Sequence, residues 1–133
     1  MTVQGLTTIR SGFGPRDTMN RLEAAVKAKG LTVFARIDHA AGAAAIGLTL
    51  RPTEVLIFGN ASGGTPLMQS VQTIGIDLPL KALVWQDSSD VTWLSCNDPA
   101  SLAQRYGLSA ATDAVIGNLT AALDALAKAA TVA

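Results

Sequence analysis

The segment Phe58-Gly59-Asn60-Ala61-Ser62-Gly63-Gly64-Thr65-Pro66-Leu67-Met68 holds the clearest chemical potential in this chain. It follows Glu54-Val55-Leu56-Ile57-Phe58, a continuous apolar run that reads as a strand covered on both faces. Thr65 and Pro66 read as the cap and first position of a helix. A loop that leaves a strand and enters a helix presents backbone N–H groups at the positive helix end. Such a place suits a phosphate or carboxylate. Gly59, Gly63 and Gly64 let the backbone come close to an anion, with Asn60 and Thr65 beside them. No Gly-Lys-Ser/Thr follows, so this is not a nucleotide P-loop. The glycine spacing does not match the dinucleotide fingerprint either. The plainer alternative is a tight turn whose glycines supply positive φ and whose end Thr65 caps.

Other groups are weighed in the same way. Lys81 is the nearest cation that could reach an anion held by the glycines; with Asp77 it could instead form an ordinary surface ion pair. Asp38 beside His39 at a strand end could act as an acid–base pair. Adjacent strand residues point to opposite faces, so capping of the following helix is the simpler role. His39 is the one histidine and Cys96 the one cysteine, which makes a metal site a poor reading; neither metal nor cofactor is expected. Cys96 has no basic neighbour in sequence and reads as a buried structural thiol. Trp85 and Trp93 face each other if the turn between them has three residues, and part if it has two or four.

The composition bounds the setting. The chain has 133 residues, 49% of them hydrophobic, enough for one domain with its own core. Ten basic and ten acidic residues give a formal net charge of zero, so no general field attracts nucleic acid or an anionic membrane. Low self-repulsion favours a homodimer. The lone cysteine suits a reducing compartment. Met1 to Leu6 lack the pattern of a signal peptide, and no apolar run approaches the roughly 20 residues of a membrane helix. A cytoplasmic location is the expectation.

These residues must be positioned by a short list of elements. Residues 2–10 read as a strand, and Pro15 opens a helix with Met19, Leu22 and Val26 on one stripe. Leu31 to Asp38 read as a strand, with Leu31, Val33, Ala35 and Ile37 on one face and Thr32, Phe34, Arg36 and Asp38 on the other. A short helix over Ala40 to Ile46 precedes the strand at Glu54 to Phe58. Lys81 to Gln86 and Val91 to Cys96 form a hairpin across Asp87-Ser88-Ser89-Asp90. Asp98-Pro99 starts a helix that Gly107 stops. Ser109 caps a last, Ala-rich helix over 109–131, with Ile116, Leu119, Leu123, Leu126 and Ala130 in a stripe. The strand–helix–strand beginning allows a parallel crossover. The expected fold is α+β: one domain with a mixed sheet of about five strands, a later antiparallel hairpin, and helices packed on the sheet.

Five motifs in one order carry a resemblance. They are Phe34-Ala35-Arg36-Ile37-Asp38-His39-Ala40-Ala41-Gly42-Ala43-Ala44, Leu56-Ile57-Phe58-Gly59-Asn60, Gly64-Thr65-Pro66-Leu67-Met68, Ile76-Asp77-Leu78-Pro79-Leu80-Lys81-Ala82-Leu83-Val84-Trp85 and Asn97-Asp98-Pro99. Over roughly residues 15–108 they resemble the bacterial domain of unknown function 302 family. The resemblance implies an α+β fold, often dimeric, with no established reaction and no catalytic residue to carry over. Cys96 stands where that family usually has an aromatic residue, and Tyr106 where a histidine is common.

Three functions follow as expectations. The first is a homodimeric module binding a small anionic ligand through Gly59, Asn60, Gly63, Gly64, Thr65 and Lys81, with Asp38 and His39 nearby. The second is a structural or regulatory dimer without ligand. The third is an enzyme using the Asp38–His39 pair.

Overall fold

The computed structural model describes residues 2–133. β1 is Leu6–Arg10, α1 Pro15–Ala28, β2 Thr32–Asp38, α2 His39–Ala45 and β3 Thr53–Gly59. α3 is Ala61–Ser70, followed by a 3-10 segment, Gln72–Asp77. β4 is Leu80–Gln86, β5 Thr92–Asn97, α4 Pro99–Arg105 and α5 Asp113–Thr131, the last preceded by a short 3-10 turn. The five strands form one sheet in the order β1-β5-β4-β3-β2.

The α+β architecture and the strand number are as expected; the mixed pairing is not. Every neighbouring pair is antiparallel. β1 and β2 run in the same direction but lie at opposite edges, so α1 crosses the whole sheet instead of linking two paired strands. A crossover helix can span strands inserted later, and sequence order does not reveal that insertion.

The core lies between the sheet and helices α1 and α5. Leu56 and Phe58 of β3 share a face with Ala82 and Val84 of β4 and Leu94 and Cys96 of β5. Met19, Leu22 and Val26 of α1 and Leu123, Leu126 and Ala130 of α5 close on this face, all buried. The last helix therefore uses its apolar stripe on its own fold. Gly14 and Pro15 begin α1, and Gly30 at φ +75° ends it in the left-handed region that glycine tolerates.

β2 contains a bulge. Val33 pairs with Phe58 and Ala35 with Ile57, which leaves Phe34 without a cross-strand partner. The single-face alternation expected for β2 is thereby corrected. Leu31 and Val33 pack on the core, whereas Ala35 and Ile37 fall on the opposite face with Ile57 and Val55. Arg36 turns to the helix side. Its Nε and Nη2 donate to Glu54 at 2.7 and 3.0 Å, and its Nη1 reaches Asn20 and Glu23 of α1. The Glu54 hydrogen bonds, joined by the charges of Glu54 and Glu23, raise the Arg36 pKa.

The hairpin takes the three-residue option. Asp87 N–H donates to the Val91 carbonyl, with Ser88, Ser89 and Asp90 between them, and Asp90 sits at φ +60°. Trp85 therefore pairs with Trp93, their rings stacked at 6.2 Å. The Asp87 carboxylate accepts from the Trp93 indole at 2.8 Å and from the Ser89 and Val91 amides. These bonds, the indole's foremost, hold its pKa below the ordinary aspartate value. A depressed folded-state pKa means the contribution is present above the unfolded value and is lost as pH falls through the folded one. Acid titration of tryptophan fluorescence is expected to show a step below the usual aspartate range, and Asp87→Asn should remove it. A step unchanged in Asp87→Asn would assign the titration elsewhere.

Candidate functional site

β3 ends at Gly59 with φ +153°, and the chain enters α3 one residue later. The helix begins five residues earlier than expected. Asn60, not Thr65, is the N-cap: its Oδ1 accepts from Gly63 N–H at 2.8 Å and from Ser62 Oγ at 3.2 Å. Gly63 and Gly64 are helical residues, and Pro66 lies inside the helix. Pro66 is the sixth helical residue and offers no N–H to the Ser62 carbonyl one turn back, so the helix forgoes one internal bond there. The signal for this early cap was present as Asn60 three residues before Gly63. Thr65-Pro66 looked the stronger start because proline prefers the first helical turn.

A cavity of about 310 Å³ opens beside this junction. Gly59, Asn60, Gly63, Gly64 and Thr65 all line it, so the sequence located one wall. Leu31, Leu80, Leu119 and Ala122 form the wall that belongs to the main fold. Met68, Gly75 and Leu78 close the other side, and Phe34 stands at the edge, 56% exposed. Among the described residues no titratable side chain lines the cavity. Its polar side-chain groups are those of Asn60 and Thr65.

The glycines here are wall, not cradle. A Cβ on Gly64 would meet Leu78 at 3.5 Å and Met68 at 3.7 Å, ordinary contacts. One on Gly63 would come within 3.0 Å of Asn60 Oδ1, the cap itself. The Gly63 amide that an anion would use is already engaged by Asn60, and the Gly64 amide bonds the Asn60 carbonyl at 3.3 Å.

The remaining expected residues lie apart from the cavity. Lys81 pairs with Ile57 on the opposite face, and its Nζ donates to the Pro79 carbonyl at 3.3 Å. Asp38 caps α2, its Oδ1 accepting from Ala41 N–H at 2.9 Å. His39 is an exposed first-turn residue of α2, and no hydrogen bond joins it to Asp38. Asp77 pairs with neither Lys81 nor the glycines: it accepts from Tyr106 Oη and from Arg105 Nη1. Hydrogen bonding to Asp77 raises the Tyr106 pKa. Cys96 is buried in the core, and burial pushes its thiol pKa up. Among the described residues no cluster of three or more acidic, histidine or cysteine side chains could hold a metal.

Sequence reasoning missed Phe34, Leu31, Leu119 and the residues after Met68. Their apolar types mark them as packing residues, and nothing local says they converge on a space.

A family model for the domain of unknown function DUF302 matches residues 7–126. The chain belongs to the DUF302 family. The crystal structure of an uncharacterized conserved DUF302 protein from Bacillus stearothermophilus superposes with a TM-score of 0.84 at 20% identity, over 96% of this chain and 99% of that one, and so shares the fold. This DUF302 chain is also 50% identical over 112 residues to proteins named Fluoride-specific ion channel FluC 1 in Brucella suis biovar 1 and Brucella abortus biovar 1. The match takes in 84% of this chain but spans only 44% and 42% of those relatives. Among the described residues no helix is long and apolar enough to cross a membrane.

Removing the cap tests the junction directly. Asn60→Ala is expected to lower stability by about 1 kcal/mol, and Asn60→Asp to retain most of it. Denaturant midpoints measure both, and an Asn60→Ala midpoint equal to wild type would show that the cap carries no stability.

Proposed function

We propose that this DUF302 chain is a binding module for a small molecule with an apolar body and one hydrogen-bonding head group. The cavity beside α3 carries the reading. Its volume of about 310 Å³ lies at the small end of ligand sites, which suits a fragment-sized molecule and not a dinucleotide. Burial of the ligand body against Leu31, Met68, Leu78 and Leu80 supplies the driving force. The Asn60 carboxamide and the Thr65 hydroxyl supply orientation. With no charged side chain of either sign among the described lining residues, a neutral carbonyl or amide head is favoured over an ion. The chemistry proposed is reversible binding.

The module acts as a homodimer in this reading. The face of the sheet away from α1 and α5 carries Ile37, Val55, Leu83 and the stacked Trp85 and Trp93. Exposed Ile37 and its half-buried apolar neighbours on a sheet face suit cover by a second subunit. Light scattering at micromolar concentration is expected to give a dimer mass, and Leu83→Lys a monomer. A monomeric wild type would reject the homodimer.

A second reading draws on the relatives named fluoride channels. A segment 50% identical to this chain forms less than half of each. We propose that the chain works beside such a channel as an attached or associated module. Co-purification of the two after co-expression is the check, and a clean separation at low salt speaks against it.

For the cavity, thermal-shift and calorimetric titrations with hexanoate, hexanamide, hexylamine and benzoate are the test. Hexanamide is expected to raise the Tm most, and hexanoate, benzoate and hexylamine to have smaller effects. Gly64→Leu should abolish these shifts while leaving the protein at least as stable, because its Cβ meets only ordinary contacts and leucine favours helix over glycine by somewhat under 1 kcal/mol. Flat responses to all four compounds would reject the cavity as their seat.

A further inference from the structure

We propose that α3 and the 3-10 segment after it form a hinged lid over the cavity, latched shut by Asp77. The lid's purpose rests on the ligand reading above; its opening does not.

The first observation is how this lobe is packed. Leu67 and Ile74 are buried, at 1% and 0% exposure, yet neither belongs to the core that unites α1, α5 and the sheet. Both belong to the lobe made by α3 and the 3-10 segment. α3 leans on the 3-10 segment and on α5 and has little contact with the strands. The cavity lies between this lobe and the main fold, with Gly64 and Met68 on one side and Leu80 and Leu119 on the other. An element held to the main fold across a void has few contacts to lose on opening, which is the physical mark of a low-energy local opening.

The second observation is how its ends are tied. At one end Gly59 supplies a backbone conformation that L side chains rarely adopt. At the other end the last residue of the 3-10 segment, Asp77, crosses to α4. Its carboxylate takes a hydrogen bond from Tyr106 and an ion pair from Arg105 at 3.1 Å. Tyr106 and Arg105 line no part of the cavity. The latch thus acts on the lobe and touches no ligand. Its phenol–carboxylate bond is charge-assisted, the stronger kind, while the Arg105 side chain is 68% exposed and adds little.

Hydrogen exchange of the ligand-free protein tests the lid. Amides of residues 61–77 are expected to exchange together and at least tenfold faster than those of β3, β4 and β5, as a unit opening below the global limit. Tyr106→Phe should speed the lobe by about tenfold again, the factor carried by one hydrogen bond to a charged group, and leave the strands unchanged. Asp77→Asn, which keeps an acceptor but removes the charge, should fall between. If the lobe is protected as well as β4 in wild type, the lid is rejected. If Tyr106→Phe and Asp77→Asn loosen strands and lobe alike, Asp77 belongs to the global fold and the latch is rejected. Because no ligand is present, these outcomes are independent of the thermal-shift titrations. Lobe exchange that fits the lid alongside flat titrations would keep the lid and discard the ligand reading.

Discussion

A sheet with helices on one face demands strict alternation along every strand, and β2 breaks that alternation once. The extra residue is Phe34. Before it, Leu31 and Val33 pack on the core; after it, the parity reverses. Three features depend on that reversal. Arg36 comes to the helix side, where Glu54, Glu23 and Asn20 meet it. Ile37 moves to the uncovered face beside Val55. Phe34, freed from pairing, stands at the edge of the cavity. A regular β2 would have set Arg36 away from its carboxylates and Ile37 toward them. The bulge also blunts an edge strand, where an unbroken ladder would invite pairing with another chain.

The glycine-rich junction is physically different from an anion cradle. An anion site needs free N–H groups, and here the Asn60 carboxamide occupies the place an oxyanion would take. The helix is self-capped. The glycines then have another consequence: without side chains, α3 presents a thin wall, and space remains between it and the core. One set of residues that looked like phosphate chemistry becomes the side of an apolar pocket. Electrostatics is secondary there, because no titratable group among the described residues lines the space.

Much of this was legible beforehand. The stripe Met19, Leu22, Val26 predicted the buried face of α1, and Asp98-Pro99 the start of α4. Asp38 as a cap and Cys96 as a buried thiol are the simpler sequence readings, and the geometry agrees. The cavity was half legible: Gly59 to Thr65 were singled out, whereas Phe34, Leu119 and Gly75 were not. Lys81 was placed wrongly because a register fixes its face, and that register depends on a partner strand distant in sequence.

The division has a physical basis. By itself the sequence determined what is local: periodicity, caps, turn residues and the family signature. Those depend on neighbours within a turn or two of chain. Only the tertiary structure decided the antiparallel order, the bulge at Phe34, the partnership of Asp77 with Tyr106, and the gap between α3 and the main fold. Each requires residues far apart in the chain to meet. A void in particular is a property of how elements fail to touch, and no single residue encodes it.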